Sequence, residues 1–141
     1  MVTAAHLKEA LGGRLRGATD LGALADRVRD GLPYPALDAV AERFDIPIRE
    51  LTAVLDLPER TMARRKREGR LRAGESDRLF RVARVAALAE EILGDNAKAA
   101  RWLRRPNRAL GGKTPLRALD TDPGASQVES VLHRVEHGVF S

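Results

Sequence analysis

The sequence contains no cysteine, and aromatic residues make up only 4% of its 141 positions. Without cysteine the chain can form neither a disulfide framework nor a thiolate metal site. No apolar run approaches the roughly 18 residues that a membrane-spanning helix needs. The first residues also lack the continuous apolar stretch of a secretory signal. We therefore expect a cytoplasmic protein that does not associate with a membrane.

Segments that alternate apolar and polar residues are also missing, so the sequence predicts no strand. Ala, Leu, Arg and Glu dominate the composition, which favours helices. Leu21, Leu24, Ala25 and Val28 share one helical face. Further helices are predicted at about 48–54, 59–68 and 74–93. We predict an all-α fold, with a helical N-terminal region (1–84) joined through the long helix to a small helical C-terminal domain (85–141).

The net charge is +5, and most of the basic excess lies in one segment. Residues 58–84 contain ten basic and four acidic side chains, whereas the rest of the chain has fifteen and sixteen. A local excess of this kind is a candidate contact surface for nucleic acid. The alternative is a solvated helix face with no ligand.

Residues 48–69 have the layout of a helix-turn-helix, in which two short helices are joined by the tight turn Asp56-Leu57-Pro58. The second helix of such a motif enters the major groove, where arginine suits guanine edges. Met62 is expected in the core, and helix-turn-helix units that bind no DNA remain the alternative. The side chains predicted to contact bases are Arg60, Thr61 and Arg64, with Arg67 on the same face and Arg65, Lys66, Arg70 and Arg72 expected mainly at phosphates.

The stretch Gly112-Lys113-Thr114 resembles the end of a phosphate-binding P-loop. The first glycine of that pattern would fall at position 107, which is Asn107, and Pro115 has no N–H to offer a phosphate. We instead expect Gly111 and Gly112 to make a sharp turn, with Thr114 capping the next helix. No nucleophile elbow and no set of three metal ligands is recognised elsewhere. We therefore predict no catalytic residue, metal site or cofactor.

A further pattern lies in the last third of the chain. It includes Trp102, Asn107, Gly111, Gly112, Thr114 and Pro115, and it ends with Glu136-His137-Gly138-Val139-Phe140-Ser141. In these residues the last third of the chain resembles the C-terminal domain of the Xre/MbcA/ParS family of antitoxins. The upstream helix-turn-helix is similar to the Xre-like domain of the same family, in the expected order. The resemblance implies that residues 1–84 form a region with an Xre-like DNA-binding domain and that residues 85–141 form a toxin-binding domain.

The resemblance implies a type II toxin–antitoxin system. Antitoxins of this family are not themselves enzymes, and each neutralises a RES-domain toxin that consumes NAD⁺ or transfers ADP-ribose from it. The antitoxin forms a homodimer, covers the active-site cleft of the toxin and often represses its own operon by binding operator DNA. The resemblance assigns toxin binding to the C-terminal end, at Glu136, His137, Val139, Phe140 and Ser141.

Alternatives to this assignment remain open. Phe140 could fold back onto its own domain instead of entering a partner. The chain could also be a stand-alone helix-turn-helix transcriptional regulator whose C-terminal domain only dimerises or senses another signal. A small nucleotide-using enzyme is a third possibility, which the failed P-loop pattern disfavours.

Overall fold

The computed structural model describes residues 2–13, 15, 17 and 20–138. Within them the chain forms nine α-helices, a short 3₁₀ turn and no strand, which confirms the all-α prediction. The elements are α1 (Ala4–Ala10), α2 (Leu21–Asp30), α3 (Pro35–Arg43), α4 (Ile48–Val54), α5 (Glu59–Glu68), α6 (Ala73–Leu93), α7 (Asn96–Leu103), the 3₁₀ turn (Arg108–Leu110), α8 (Pro115–Ala118) and α9 (Asp122–Glu136).

Helix α6 is the centre of the fold and packs against α1, α2, α7 and α9. Its apolar residues do not keep to one stripe, because it has neighbours on several sides. Leu79, Val82 and Val85 are fully buried in its middle. Buried residues from both halves of the chain form one continuous core around this helix, from Leu7 to Leu132.

Two turns of the same design place the helix-turn-helix. Asp45 and Asp56 both adopt left-handed backbone angles, with φ of 50° and 52°, which aspartate tolerates better than most residues. Each is followed by a buried apolar residue whose N–H closes the preceding helix, Ile46 onto Ala41 and Leu57 onto Thr52. A proline then precedes the next helix. The sequences Phe-Asp-Ile-Pro and Leu-Asp-Leu-Pro therefore encode two sharp helix-to-helix corners.

The end of α5 is held against the N-terminal part of the chain by backbone contacts. The Tyr34 N–H donates to the carbonyl of Gly69 at 3.0 Å, and the Leu71 N–H donates to the carbonyl of Leu32 at 2.9 Å. Gly31 lies beside this junction with φ of 97°, and a β-carbon there would lie 2.2 Å from the carbonyl oxygen of Leu71. Only glycine fits this close approach. The junction fixes the direction in which α5 leaves the core.

Helix α1 is tied to the rest of the fold by a partly buried charged cluster. The Nε2 atom of His6 lies 2.6 Å from Glu90 on α6, and Arg43 on α3 donates to the same carboxylate at 2.8 Å. Arg43 also reaches Glu9 on α1 at 3.4 Å. The cluster therefore joins three helices that are distant in sequence.

Leu21 was predicted to lie on the apolar face of α2, but its side chain is exposed. Its neighbour on that face, Leu24, is fully buried, but Leu21 is 61% exposed. Leu21 is the first residue of the helix and lines an open groove with Val2, Leu7 and Leu88. Helical spacing assigns a residue to a face, but it does not show whether neighbouring helices extend far enough to cover it.

Candidate functional site

The outer face of α5 presents the arginines that the sequence predicted for DNA contact. Arg60, Arg64 and Arg67 are all exposed, at helical spacing i, i+4 and i+7. None of the three forms a hydrogen bond or ion pair within the part of the chain that the structure describes. Thr61 is half-buried, and Met62 packs partly against the core. The arginine side chains are therefore available to a ligand, and the opposite side of the helix packs against the core.

Arg65 has a different environment from the phosphate contact predicted for it. Its side chain is only 8% exposed, and its Nε donates to Glu75 on α6 at 2.8 Å. A second donor reaches Glu68 at 3.1 Å. Glu75 also accepts the backbone N–H of Arg72 at 2.8 Å, at the start of α6. Because its donors face these carboxylates, Arg65 fastens α5 to α6 and is poorly placed to meet DNA.

Two largely buried carboxyl groups, Glu75 and Glu90, have lowered pKa values because of the hydrogen bonds that they accept. Burial alone would raise the pKa of each carboxyl group. Hydrogen bonds have the opposite effect and outweigh burial. Glu75 accepts them from Arg65 and the Arg72 N–H, and Glu90 accepts them from Arg43 and His6. Both pKa values therefore lie below the ordinary 4.5. Both carboxylates therefore stabilise the fold in their charged form.

We expect acid to destabilise the protein partly through these two groups. A carboxyl group whose pKa is lower in the folded state stabilises fully above its unfolded pKa, and that stability is lost as the pH falls through the folded pKa. The free energy of unfolding is measured by urea denaturation at several pH values between about 6 and about 3.5. We expect it to decrease once the pH is lowered past 4.5. The variant Glu75→Gln/Glu90→Gln should show a shallower fall. Equal slopes for the two proteins would contradict the assignment.

The loop around Gly111 and Gly112 is a turn, as predicted. Both glycines have positive φ, 68° and 88°. The N–H groups of Gly111, Gly112 and Lys113 donate to the carbonyls of Arg108, Asn107 and Leu110 respectively. Those N–H groups are therefore used within the loop and do not point at a common phosphate position. Beyond the loop, the side chain of Thr114 caps α8, with Pro115 in the first turn.

The remaining family residues divide between the interior and the surface. Trp102 is half-buried and packs against the core. The side chain of Asn107 accepts the Ala109 N–H at 2.9 Å and helps to close the loop. Glu136 and His137 are exposed at the end of α9. The structure therefore uses Trp102 and Asn107 to shape the C-terminal domain and leaves the end of α9 accessible.

Three of the residues assigned to toxin binding, Val139, Phe140 and Ser141, lie outside the described residues. Before them, α9 presents Glu129, His133 and Glu136 along one side, which borders the groove containing Leu21. His133 and Glu136 lie within 3.4 Å of each other.

Two kinds of site have no candidate among the residues that the structure describes. No cluster of three or more His, Asp or Glu side chains is arranged to hold a metal ion there. No helix in the same residues is long and apolar enough to cross a bilayer.

A second basic segment was missed when charges were counted only over 58–84. Residues 96–119 contain seven basic side chains and no acidic one. The charge balance of the remaining chain concealed it, because acidic residues are frequent on either side. A running count of acidic residues along the sequence would have found it.

The chain matches two domains in the order expected for an antitoxin. Residues 23–84 match the Xre-like helix-turn-helix domain of antitoxins. Residues 88–138 match the C-terminal toxin-binding domain of the Xre/MbcA/ParS antitoxins. The first match contains α4 and α5 with their exposed arginines, and the second contains α7, α8 and α9.

Three curated antitoxins are similar over most of their length. The antitoxin Xre of Yersinia enterocolitica is 34% identical over 120 residues, which cover 84% of this chain and 81% of the relative. The antitoxin Xre of Pseudomonas putida is 36% identical over 132 residues, with 89% and 82% covered. The antitoxin Xre of Photorhabdus laumondii is 34% identical over 116 residues, with 81% and 78% covered. With both domain matches in place, the chain belongs to the Xre family of type II antitoxins.

Proposed function

We propose that this antitoxin binds and neutralises a RES-domain toxin that consumes NAD⁺ or transfers ADP-ribose, by covering the active site of the toxin. We further propose that it forms a homodimer and represses its own operon by binding operator DNA through α5. The observation that carries the proposal is the presence of both matched domains on one continuous core. The chain acts by binding and performs no catalysis itself.

The exposed face of α5 supports operator binding. Arg60, Arg64 and Arg67 make no ion pairs within the described chain and are free to meet bases and phosphates. The backbone junction at Gly69 and the ion pair of Arg65 hold α5 at fixed orientation. A rigid recognition helix loses little conformational freedom on binding. Helix-turn-helix proteins commonly bind as dimers to half-sites about one helical turn apart, which favours a homodimer.

The accessible end of α9 supports toxin binding. Glu136 and His137 are exposed there, and residues 139–141 follow directly. In a chain with three phenylalanines, Phe140 offers an apolar anchor for a partner pocket. Operator DNA and an NAD⁺-consuming toxin both place the proposed activity in the cytoplasm.

Co-expression with the neighbouring gene tests the proposal. The chain, carrying an affinity tag, is produced in a bacterial host together with the adjacent gene product, and the neighbour is also produced alone. We expect the neighbour to co-purify with the antitoxin, and to stop growth and deplete NAD⁺ when alone. A neighbour that neither co-purifies nor harms the cell would instead favour a stand-alone transcriptional regulator.

Replacing Arg64 with alanine is expected to weaken operator binding by about 1–3 kcal/mol, because the side chain would lose contacts to a base edge. Gel-shift titrations with the operator and with a scrambled duplex measure this, and the loss should be larger on the operator. Arg29→Ala is the charge control, because this substitution removes the same charge from an exposed site on α2, where Arg29 pairs with Asp26. An unchanged operator affinity, or an equal loss with Arg29→Ala, would overturn the assignment of Arg64.

A further inference from the structure

The segment from Asn96 to Leu119 carries an unusual charge pattern for this chain. It contains seven basic residues and is flanked by Asp95 and Asp120, but it has no acidic residue of its own. At the overall frequency of acidic residues in the chain, a stretch of this length would contain about three. The whole segment lies within residues 88–138, which match the toxin-binding domain.

The structure places these basic side chains on the surface of α7, the following loop and α8. Lys98, Arg101 and Arg105 are exposed at spacing i, i+3 and i+7, which aligns them along one side of α7 and its end. The surface continues through the 3₁₀ turn to α8. We call the six exposed side chains without partners the cationic surface, namely Lys98, Arg101, Arg105, Arg108, Lys113 and Arg117.

None of these six side chains forms an ion pair or side-chain hydrogen bond within the described residues. Arg104, which lies between them in sequence, behaves differently and pairs with Glu50 on α4 at 2.7 Å. Glu42 and Asp45 face α7 across an open groove, but neither forms an ion pair with it. None of the described carboxylates therefore pairs with the cationic surface, although Asp120 lines a groove together with Lys113 and Arg117.

We propose that the cationic surface docks onto an acidic face of the toxin. The proposal rests on the proposed function and specifies the chemistry of the toxin surface that this antitoxin recognises. Like charges on one short segment repel one another in the free protein, and an acidic partner relieves that repulsion on binding. Complementary charge also accelerates association and selects against partners of the wrong sign.

The position of this surface within the matched toxin-binding domain favours a protein partner over operator DNA. Four of its six side chains are arginine, which pairs with carboxylates in a planar, two-pronged geometry and is enriched in protein interfaces. Arg104, which follows α7, pairs with Glu50 on α4, whereas the exposed arginines proposed for DNA lie on α5.

Two matched triple variants test the proposal. Arg101→Gln/Arg105→Gln/Arg108→Gln removes three of the six charges of the cationic surface, and Arg60→Gln/Arg64→Gln/Arg67→Gln removes the same number from α5. Affinity for the purified neighbouring toxin is measured by calorimetry in about 0.1 M and about 0.5 M NaCl, and affinity for operator DNA by gel shift. Thermal denaturation should show both variants folded, because the altered side chains are exposed and have no partners.

We expect the first variant to bind the toxin roughly ten- to a hundredfold more weakly at low salt, with a smaller difference at high salt. Its loss of operator affinity should be much smaller than that of the α5 variant, which in turn should bind the toxin as the unaltered chain does. Unchanged toxin binding with weakened operator binding would assign the surface to DNA and overturn the proposal. Unchanged binding to both would make it a solvated face and overturn it equally.

Failure of the proposed function gives a different result in the same experiment. In that case the unaltered antitoxin itself would not bind the neighbouring toxin, and the present inference would fall with it. If the unaltered antitoxin binds and the first variant binds equally well, only the inference fails.

Discussion

Replacing Glu75 with alanine is expected to lower the free energy of unfolding by about 3–5 kcal/mol, the range found when one member of a buried ion pair is removed. The substitution leaves the guanidinium of Arg65 buried without its main partner. It also removes the acceptor for the backbone N–H of Arg72 at the start of α6. Urea denaturation at neutral pH measures the loss, and operator affinity should fall with it as α5 loosens.

The double variant Arg65→Met/Glu75→Leu separates a buried unpaired charge from a simple loss of contacts. Apolar side chains of similar volume often replace a buried pair at little cost. We therefore expect this variant to be markedly more stable than Glu75→Ala. A loss below about 1 kcal/mol in Glu75→Ala would contradict the account, because that is the scale of an exposed pair.

Deleting Val139, Phe140 and Ser141 is expected to leave stability nearly unchanged and to weaken toxin neutralisation at least roughly tenfold. Terminal residues rarely carry a core, and none of the buried core residues in the described chain follows Leu132. Toxin binding, by contrast, is proposed to depend on this end. Thermal denaturation and titration of NAD⁺ consumption by the toxin measure the two effects separately.

Single changes show which part of the end matters. Phe140→Ala should reproduce most of the loss in neutralisation, because an aromatic anchor contributes more to binding than its neighbours. Deletion of Ser141 alone serves as the control and should have a small effect. Full neutralisation by the three-residue deletion would refute the assignment, and a large drop in melting temperature would show that Phe140 folds back onto its own domain.

Local features of the fold could be predicted because neighbouring residues determine them. Helix α5 ends at Gly69, and α7 begins after Asp95, whose side chain caps it. Thr114 and Pro115 start α8 in the same way. Caps and glycine ends depend on hydrogen bonds within a few residues, so the sequence carries them directly.

Features that depend on distant residues could not be predicted in this way. Arg65 was predicted to contact phosphates, but its side chain pairs with Glu75, which belongs to the next helix. Leu21 was placed on an apolar face, and whether that face is covered depends on helices elsewhere in the chain. Helical spacing gives the side of a helix but not the neighbour that meets it.

The cationic surface shows a third limit of reading the sequence by segments. Net charge was summed over 58–84 and over everything else, and the second sum was close to zero. That sum combined the acid-free stretch 96–119 with acidic segments that lie elsewhere in the chain. The structure separates them, because the basic side chains of this stretch are exposed and without partners.

Neutralisation of the toxin can be measured by titrating the purified neighbouring toxin with this antitoxin. The rate of NAD⁺ consumption is measured at fixed toxin concentration while the antitoxin is increased. We expect the rate to fall to background at a fixed stoichiometric ratio, and we expect the chain lacking residues 139–141 to require a large excess. Undiminished NAD⁺ consumption at saturating antitoxin, with or without formation of a complex, would contradict neutralisation by covering the active site.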